Sequence, residues 1–254
     1  MAFDHERRFG GVARLYGEAG AARLRAAHVA VVGIGGVGSW SAEALARTGV
    51  GRITLIDLDM LAESNANRQI HALDDLWGKA KVEAMRERIL AINPGCAVRC
   101  VEDFVTPDNA PRLLAGDYSV VIDAIDQARA KVAMAAHCRR HGLPLVIAGA
   151  AGGQSDPTRV RLADLSETIQ DPLLAKVRAQ LRREHGFPRG GGKFGIAAVF
   201  SSEPLRYPAN AACAAPAAPA GLNCAGFGSS VCVTSVFGMA AAAWAIDRIV
   251  SGAG

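Results

Sequence analysis

The stretch HVAVVGIGGVGSW, from His28 to Trp40, sets a short apolar run directly before Gly33-x-Gly35-x-x-Gly38 and a helical pattern directly after it. This junction narrows the choice of fold more than any other feature of the chain. An apolar run of that length reads as a buried strand. The glycines permit a tight turn and close backbone approach, and the helix that follows starts with unpaired N–H groups and a partial positive charge suited to an anion. Asp57 lies 19 residues beyond Gly38, at the end of a second apolar run, RITLIDLD (52–59). A carboxylate there can accept hydrogen bonds from ribose hydroxyls. Taken alone, the pattern also fits a nicotinamide or flavin dehydrogenase.

The same alternation continues. Val37, Trp40, Ala44, Leu45 and Thr48 share a helix face that closes at Gly49 and Gly51, and Lys81 to Asn93 reads as a helix stopped by Pro94-Gly95. AVRCVEDF (97–104), YSVVIDAID (118–126) and LPLVIAGA (143–150) read as strands, with a helix from Gln127 to His141. Strands separated by helices imply a Rossmann-like, doubly wound α/β fold with a mainly parallel sheet. After Gly152-Gly153 the rhythm changes. GQSDPTRVRLADL predicts a strand in antiparallel pairing, Ile169 to His185 a basic amphipathic helix, GIAAVFSSEPL (195–205) a further strand, and 208–222 a low-complexity loop. The expected organisation is an N-terminal helical arm over 1–28 and one domain over 29–254. That domain has a nucleotide-binding core at 29–150 and an antiparallel and helical C-terminal elaboration at 151–254.

With half of its 254 residues hydrophobic and a fifth charged, the chain is too apolar to stay disordered. A net charge of +4 permits an anionic partner without demanding one. The six cysteines form no C-x-x-C pair, which argues against zinc and against a disulfide framework. The opening MAFDHERRF has no apolar leader, so a reducing, cytoplasmic setting is expected. One stretch needs a membrane test: no charge occurs between Arg206 and Asp247, and Ser229 to Ile246 is long enough to span a bilayer. Its Ala, Ser and Gly content favours a buried core or dimer-interface helix instead.

Several polar residues discriminate between nucleotides. Ser64-Asn65-Ala66-Asn67-Arg68-Gln69 follows the second strand. A dehydrogenase has no use for a fixed guanidinium there except to read a 2′-phosphate, whereas a triphosphate is well served by bidentate Arg68. In Gly78-x-x-Lys81 the lysine opens a helix, where its ammonium can neutralise a phosphate under attack. A lone lysine at a helix start is more often simply solvated, but Asn67 and Arg68 nearby shift that balance. Asp123-x-x-Asp126 sits at the carboxyl end of the fourth strand, where ligands of such sheets bind. Carboxylates there suit Mg²⁺, which takes few protein ligands. Asp126 can equally cap the next helix, and Asp123 fits a structural role better.

VVGIGGVGSW, EALARTGVGRITLIDLD, SNANRQIHA, GKAKVEAMRERILAINP and DAID, in this order over residues 7–150, resemble the ubiquitin-activating-enzyme superfamily of adenylating enzymes. RFGGVARLYG, AGGQSDPTRVRLADLSETIQDPL, FGIAAVFSSEPLRYP and CAGFGSSV are similar to a branch of it that modifies tRNA, which extends the resemblance over nearly the whole chain. The resemblance implies ATP and Mg²⁺ as cofactors. Gly33, Gly35, Gly36 and Gly38 would line the ATP phosphates, Asp57 would hold the ribose, and Phe104 and Val105 would wall the adenine. Asn65, Asn67, Arg68 and Lys81 would contact phosphates, and Asp126 would bind the metal and be tied most closely to catalysis. An N-terminal arginine, Arg14 or failing that Arg8, would reach the ATP site of the partner in a homodimer.

In the tRNA branch, the carboxylate of a threonylcarbamoyl group on an adenosine beside the anticodon is adenylated. An internal nitrogen then closes a ring with net loss of water. Lys176, Arg178, Arg182 and Arg183, with Arg189 and Lys193 beyond them, are the candidate tRNA contacts, although such a basic stretch is usually a solvated face. Cys224 is the candidate thiol for a sulfur-relay partner or, more plainly, a small packing residue. The rival readings are an activator of a small ubiquitin-like sulfur carrier, a nicotinamide dehydrogenase and a non-enzymatic sulfur-relay partner. The missing C-x-x-C motifs speak against the first, and Lys81 and Asp126 are superfluous to the second.

Overall fold

A computed structural model describes residues 3–207 and 227–252. Its centre is a seven-stranded sheet in the order β3-β2-β1-β4-β5-β7-β6. The strands are β1 (His28–Val32), β2 (Arg52–Ile56), β3 (Ala97–Val101), β4 (Val120–Asp123), β5 (Leu145–Ala148), β6 (Val160–Asp164) and β7 (Ala197–Ser201). All neighbours run parallel except β6 with β7, which pair antiparallel from Val160↔Ser201 to Asp164↔Ala197. This is the doubly wound sheet expected from the sequence, with its antiparallel elaboration at one edge.

The two-residue period of β1 divides the core. Val29 and Val31 face one hydrophobic layer, built with α1 (His5–Ala26), α2 (Gly38–Arg47), α3 (Lys81–Ile92) and α7 (Val231–Ser251). Ala30 and Val32 face the other, built with α4 (Ala110–Leu113), α5 (Ala128–His141) and α6 (Pro172–Glu184). With helices on both faces, the central strands are buried on both sides, which is why they read as continuous apolar runs.

α1 is packed into this core along its length. Phe9 and Leu24 are buried, and a Cβ on Gly51 would fall 1.8 Å from the Arg25 carbonyl oxygen, so the strand-two entry fits directly beneath the helix end. Gly17, at φ 75°, kinks α1.

The apolar stretch tested for a membrane span is α7, with mean hydropathy 1.4 in a window half of which is buried. Val233, Phe237, Ala241, Ala245 and Ile246 face the core. A Cβ on Gly238 would lie 2.4 Å from the Val37 carbonyl oxygen, and Ser41 Oγ donates to the Gly238 oxygen at 2.9 Å. The small residues of α7 therefore let it sit against α2, and its apolarity is that of a core helix.

Several strands are shorter than expected, and at three boundaries the local reason is plain. β3 stops at Val101, because residues 102–105 leave the sheet towards the strand ends. β7 stops at Ser201, where Glu203 turns back to accept the Ser155 and Asp156 N–H groups at 2.9 and 2.8 Å. α6 begins at Pro172 rather than Ile169, since Asp171 accepts the Leu174 N–H and proline fits the first helical position. The low-complexity segment and Cys224 lie outside the described residues.

Candidate active site

At the carboxyl ends of the parallel strands lies a cleft of about 470 Å³, in the size range of small-ligand sites. The turn after β1 forms its floor. Gly33 takes φ 86°, and a Cβ there would meet Ile125 and the Ala124 carbonyl at 2.9–3.0 Å. At Gly38 a Cβ would fall 1.7 Å from the Gly33 oxygen, so the turn closes only with glycine. At Gly35 nothing lies within 4 Å, which leaves that backbone open to the cleft for a ligand.

Asp57 accepts the Ile34 N–H at 2.6 Å and the Asp59 N–H at 2.9 Å, locking the turn to the end of β2. Burial raises its pKa above the usual carboxylate value, opposed by Lys81 and by those two N–H groups. It lines the cleft as expected of a ribose-binding acid.

Arg68 lines the cleft with its aliphatic stem over Gly36, where a Cβ would be 3.1 Å from Arg68 Cγ. Its Nη1 donates to the Ser64 oxygen at 2.7 Å and to Asn67 Oδ1 at 2.8 Å. Burial lowers its pKa from the usual value, yet a guanidinium remains cationic in a protein. Asn65 lines the cleft while its Oδ1 accepts the Ala62 N–H. Asn67 does not line it; its Nδ2 donates to the Ser229 oxygen at 3.1 Å, so it joins Arg68 to the Phe227–Ser229 wall.

Lys81 is buried at 6% exposure and donates to Asp59 Oδ2 at 2.6 Å. Phe104 and Val105 complete one wall, the phenyl ring half exposed and the valine buried.

The two acids at the end of β4 and just beyond it differ in surroundings. Asp123 is fully buried and paired with Lys131 at 2.9 Å. Asp126 lines the cleft itself, half-buried, and does not cap α5, whose N-cap position is Gln127. A single carboxylate beside a triphosphate suffices for Mg²⁺, which keeps several waters and binds substrate phosphates. No cluster of three or more His, Cys, Asp or Glu side chains able to hold a metal occurs among the described residues.

Other expected residues lie elsewhere. Arg14 is exposed on α1, and Arg8 donates to the Ile92 and Ala91 oxygens at 2.6 and 3.2 Å, closing the end of α3; neither lines the cleft. On α6, Arg178 bonds Thr168 Oγ1, while Arg182 donates to the Pro188 oxygen at 3.1 Å and stacks over Phe194. Lys176 and Arg183 are exposed, the latter paired with Glu184. Burial pushes the Cys96 thiol up to about 11 and those of Cys100 and Cys138 up to about 12, which suits packing residues and not nucleophiles.

Sequence reasoning missed Asp59, Gln69, Thr234 and the walls at Gly149–Gly152 and Phe227–Ser229. Asp59 sits inside the quoted DLD motif and was within reach. The two walls carry no local signature of ligand binding.

A family model described as the ThiF family matches residues 8–252. The chain is 52% identical to a tRNA threonylcarbamoyladenosine dehydratase of Escherichia coli (strain K12), over 96% of this chain and 94% of that protein. The crystal structure of E. coli tRNA N6-threonylcarbamoyladenosine dehydratase with ATP matches with TM-score 0.89 at 51% identity, covering 98% of this chain and 96% of that one. The corresponding AMP complex matches with the same TM-score, identity and coverage.

Proposed function

The chain belongs to the ThiF family, and from that premise we propose that its cleft performs an ATP-dependent dehydration of a modified tRNA nucleoside. The protein uses ATP to adenylate the threonylcarbamoyl carboxylate on a tRNA adenosine beside the anticodon. Cyclisation with net loss of water follows. One observation carries this reading: the glycine turn, Arg68, Lys81 and Asp126 line a single cleft at the strand ends, in a chain similar over 98% of its length to a relative solved with ATP and with AMP.

The chemistry follows from charge. A carboxylate is a poor electrophile at neutral pH because its leaving group would be oxide. Its oxygen attacks the α-phosphorus of ATP, pyrophosphate departs with the electron pair, and an acyl adenylate remains. An internal nitrogen of the threonylcarbamoyl group then attacks the acyl carbon and loses its proton. AMP leaves carrying the former carboxylate oxygen, so water is lost overall while ATP becomes AMP and pyrophosphate.

The first step brings a carboxylate against a triphosphate. Arg68, Lys81 and the α2 N-terminus supply fixed positive charge where negative charge accumulates. Asp126 would hold Mg²⁺, which when bound neutralises phosphate charge and orients the leaving pyrophosphate. Ring closure requires mainly that nitrogen and acyl carbon be held together.

Assembly as a homodimer belongs to the same reading. Arg14 is exposed and outside the cleft of its own chain, so it can serve an ATP only in a second copy. Lys176 and Arg183 are the α6 cations left exposed for RNA phosphates, although Arg183 is shared with Glu184. A sulfur-relay partner would depend on Cys224, outside the described residues. Activation of a sulfur-carrier protein is not favoured, given relatives that modify tRNA.

Mass analysis of tRNA nucleosides after incubation with the protein and ATP tests the function. A product lighter by one water is expected, with AMP and pyrophosphate formed in step. Unchanged nucleosides with intact threonylcarbamoyl groups would overturn it.

A further inference from the structure

β4 and β5 leave the sheet side by side, and their exits, 124–127 and 149–152, form adjoining parts of the cleft wall. Beneath these exits lies a buried set of charges with no part in the phosphate chemistry. Lys131 of α5 and Asp123 at the end of β4 are both fully buried, with Nζ 2.9 Å from Asp123 Oδ1. The same ammonium donates to the Ala148 oxygen at 2.7 Å, at the end of β5. The same Oδ1 accepts the Ile125 N–H at 3.2 Å, one residue before Asp126. Asp171 approaches from α6 and accepts the Ala150 N–H at 2.8 Å. A Cβ on Gly149 would fall 2.0 Å from its Oδ2.

Burying an ammonium and two carboxylates carries a desolvation penalty, and apolar side chains of similar volume would stabilise the fold as well or better. What the charged set adds is direction. A methylene chain can fill the space, but it cannot tie the Asp123 carboxylate and the Ala148 carbonyl to one nitrogen. Through that nitrogen the backbone before Asp126 and the backbone before Gly149 are held at a fixed separation.

We propose that Lys131 is a positioning residue for adenylation: it fixes the span between Asp126 and the Gly149–Ala150 wall, so that the substrate carboxylate and the α-phosphorus meet in line. The proposal rests on the adenylation reading above.

The test replaces the pair as a unit, because Lys131→Met alone leaves an uncompensated buried carboxylate. In Lys131→Met combined with Asp123→Asn, the acceptor for the Ile125 N–H is kept and the tie to Ala148 is lost. ATP affinity by titration and KM for tRNA should stay within about threefold of the parent protein, while kcat falls by about a hundredfold, the scale of a displacement near 1 Å. A kcat within about threefold of the parent would overturn the proposal. Should that protein not fold, Lys131→Arg keeps the charge but crowds a fully buried site and shifts the exits. Its kcat should fall at least about tenfold at unchanged ATP affinity, and a parental kcat overturns the proposal just as well. Absence of tRNA-dependent turnover in the unmodified protein would overturn the adenylation reading and this one with it. Turnover there with parental rates in the variants overturns this one alone.

Discussion

Lys81 and Asp59 form an ion pair of 2.6 Å at the edge of the cleft that both line. The backbone repeats the link, since the Lys81 N–H donates to the Asp59 oxygen at 3.0 Å. The start of α3 is thus fastened to the end of β2, and the ammonium is held at the strand ends although its helix packs on the face of the sheet. A nucleotide phosphate has only to share that ammonium with Asp59.

Lys81→Ala is therefore expected to lower kcat by about 10²–10³, the scale of losing one fixed donor from a charge-stabilising site. Steady-state rates with saturating ATP and tRNA check this. Arg68→Ala should behave alike, and near-parental rates in both would mean the triphosphate lies elsewhere.

Asp126 lines the cleft half-buried and stands apart from the buried Asp123–Lys131 pair. Asp126→Ala should abolish turnover while the melting temperature stays within about 2 °C of the parent, the behaviour of a partly exposed side chain outside the packed core. Calorimetry and a single-turnover assay on the same sample decide it. Retained turnover would remove Asp126 from the reacting groups.

The glycines of the turn should separate by geometry. Gly38→Ala places a Cβ 1.7 Å from the Gly33 oxygen, so the turn must open and soluble, ATP-binding protein should be lost. Gly35→Ala meets nothing within 4 Å and should fold normally, yet weaken ATP binding because the added methyl points into the cleft. Titration with ATP after a check of solubility separates the two.

His71 is 1% exposed with neither ring nitrogen hydrogen-bonded among the described residues. Burial, with Lys81 and Arg88 nearby, pushes its pKa down to about 4 from 6.5. Between those values the unfolded chain binds the proton and the folded one does not. The stability it contributes is complete above about pH 6.5 and is lost as pH falls towards 4, about 3 kcal/mol in all. Denaturant melts of the parent and His71→Phe at both pH values should differ by that amount. Parallel curves would show that His71 is protonated at no cost.

Arg14 and Asp126 should complement one another across a dimer. Mixed Arg14→Ala and Asp126→Ala subunits should recover up to about a quarter of parental activity, the statistical share of intact sites after random exchange. No recovery would mean each site is built from one chain.

The strand–turn–helix order was legible because it is local. Val29 to Val32, the glycines and the residues that follow carry their own periods and turn requirements, so the first βα unit, the parallel sheet and the place of Asp57 at the end of the second strand could be read from neighbours in sequence. Arg68, Lys81 and Asp126 could be nominated from residue type and position. Asp123 was also expected to be the structural acid of the two, as its buried pairing with Lys131 has it, but the meeting of the other three in one cleft could not be read. What DAID does not carry is the partner that holds Asp123 inward, Lys131 rising from α5 beneath the strand end.

By itself the sequence determined the fold class, since glycine spacing and hydrophobic period act within a few residues, while ATP as the ligand came from Arg68, Lys81 and the resemblance to adenylating enzymes. The tertiary structure alone decided that α1 packs into the core, that α7 packs one face against α2 and the sheet, that Arg178 and Arg182 are committed to local contacts, and which backbone walls the cleft. Each of those outcomes is a contact between residues far apart in the chain, such as Gly238 on Val37 or Lys131 on Ala148. Such contacts are set by packing and burial, which no single stretch of sequence carries.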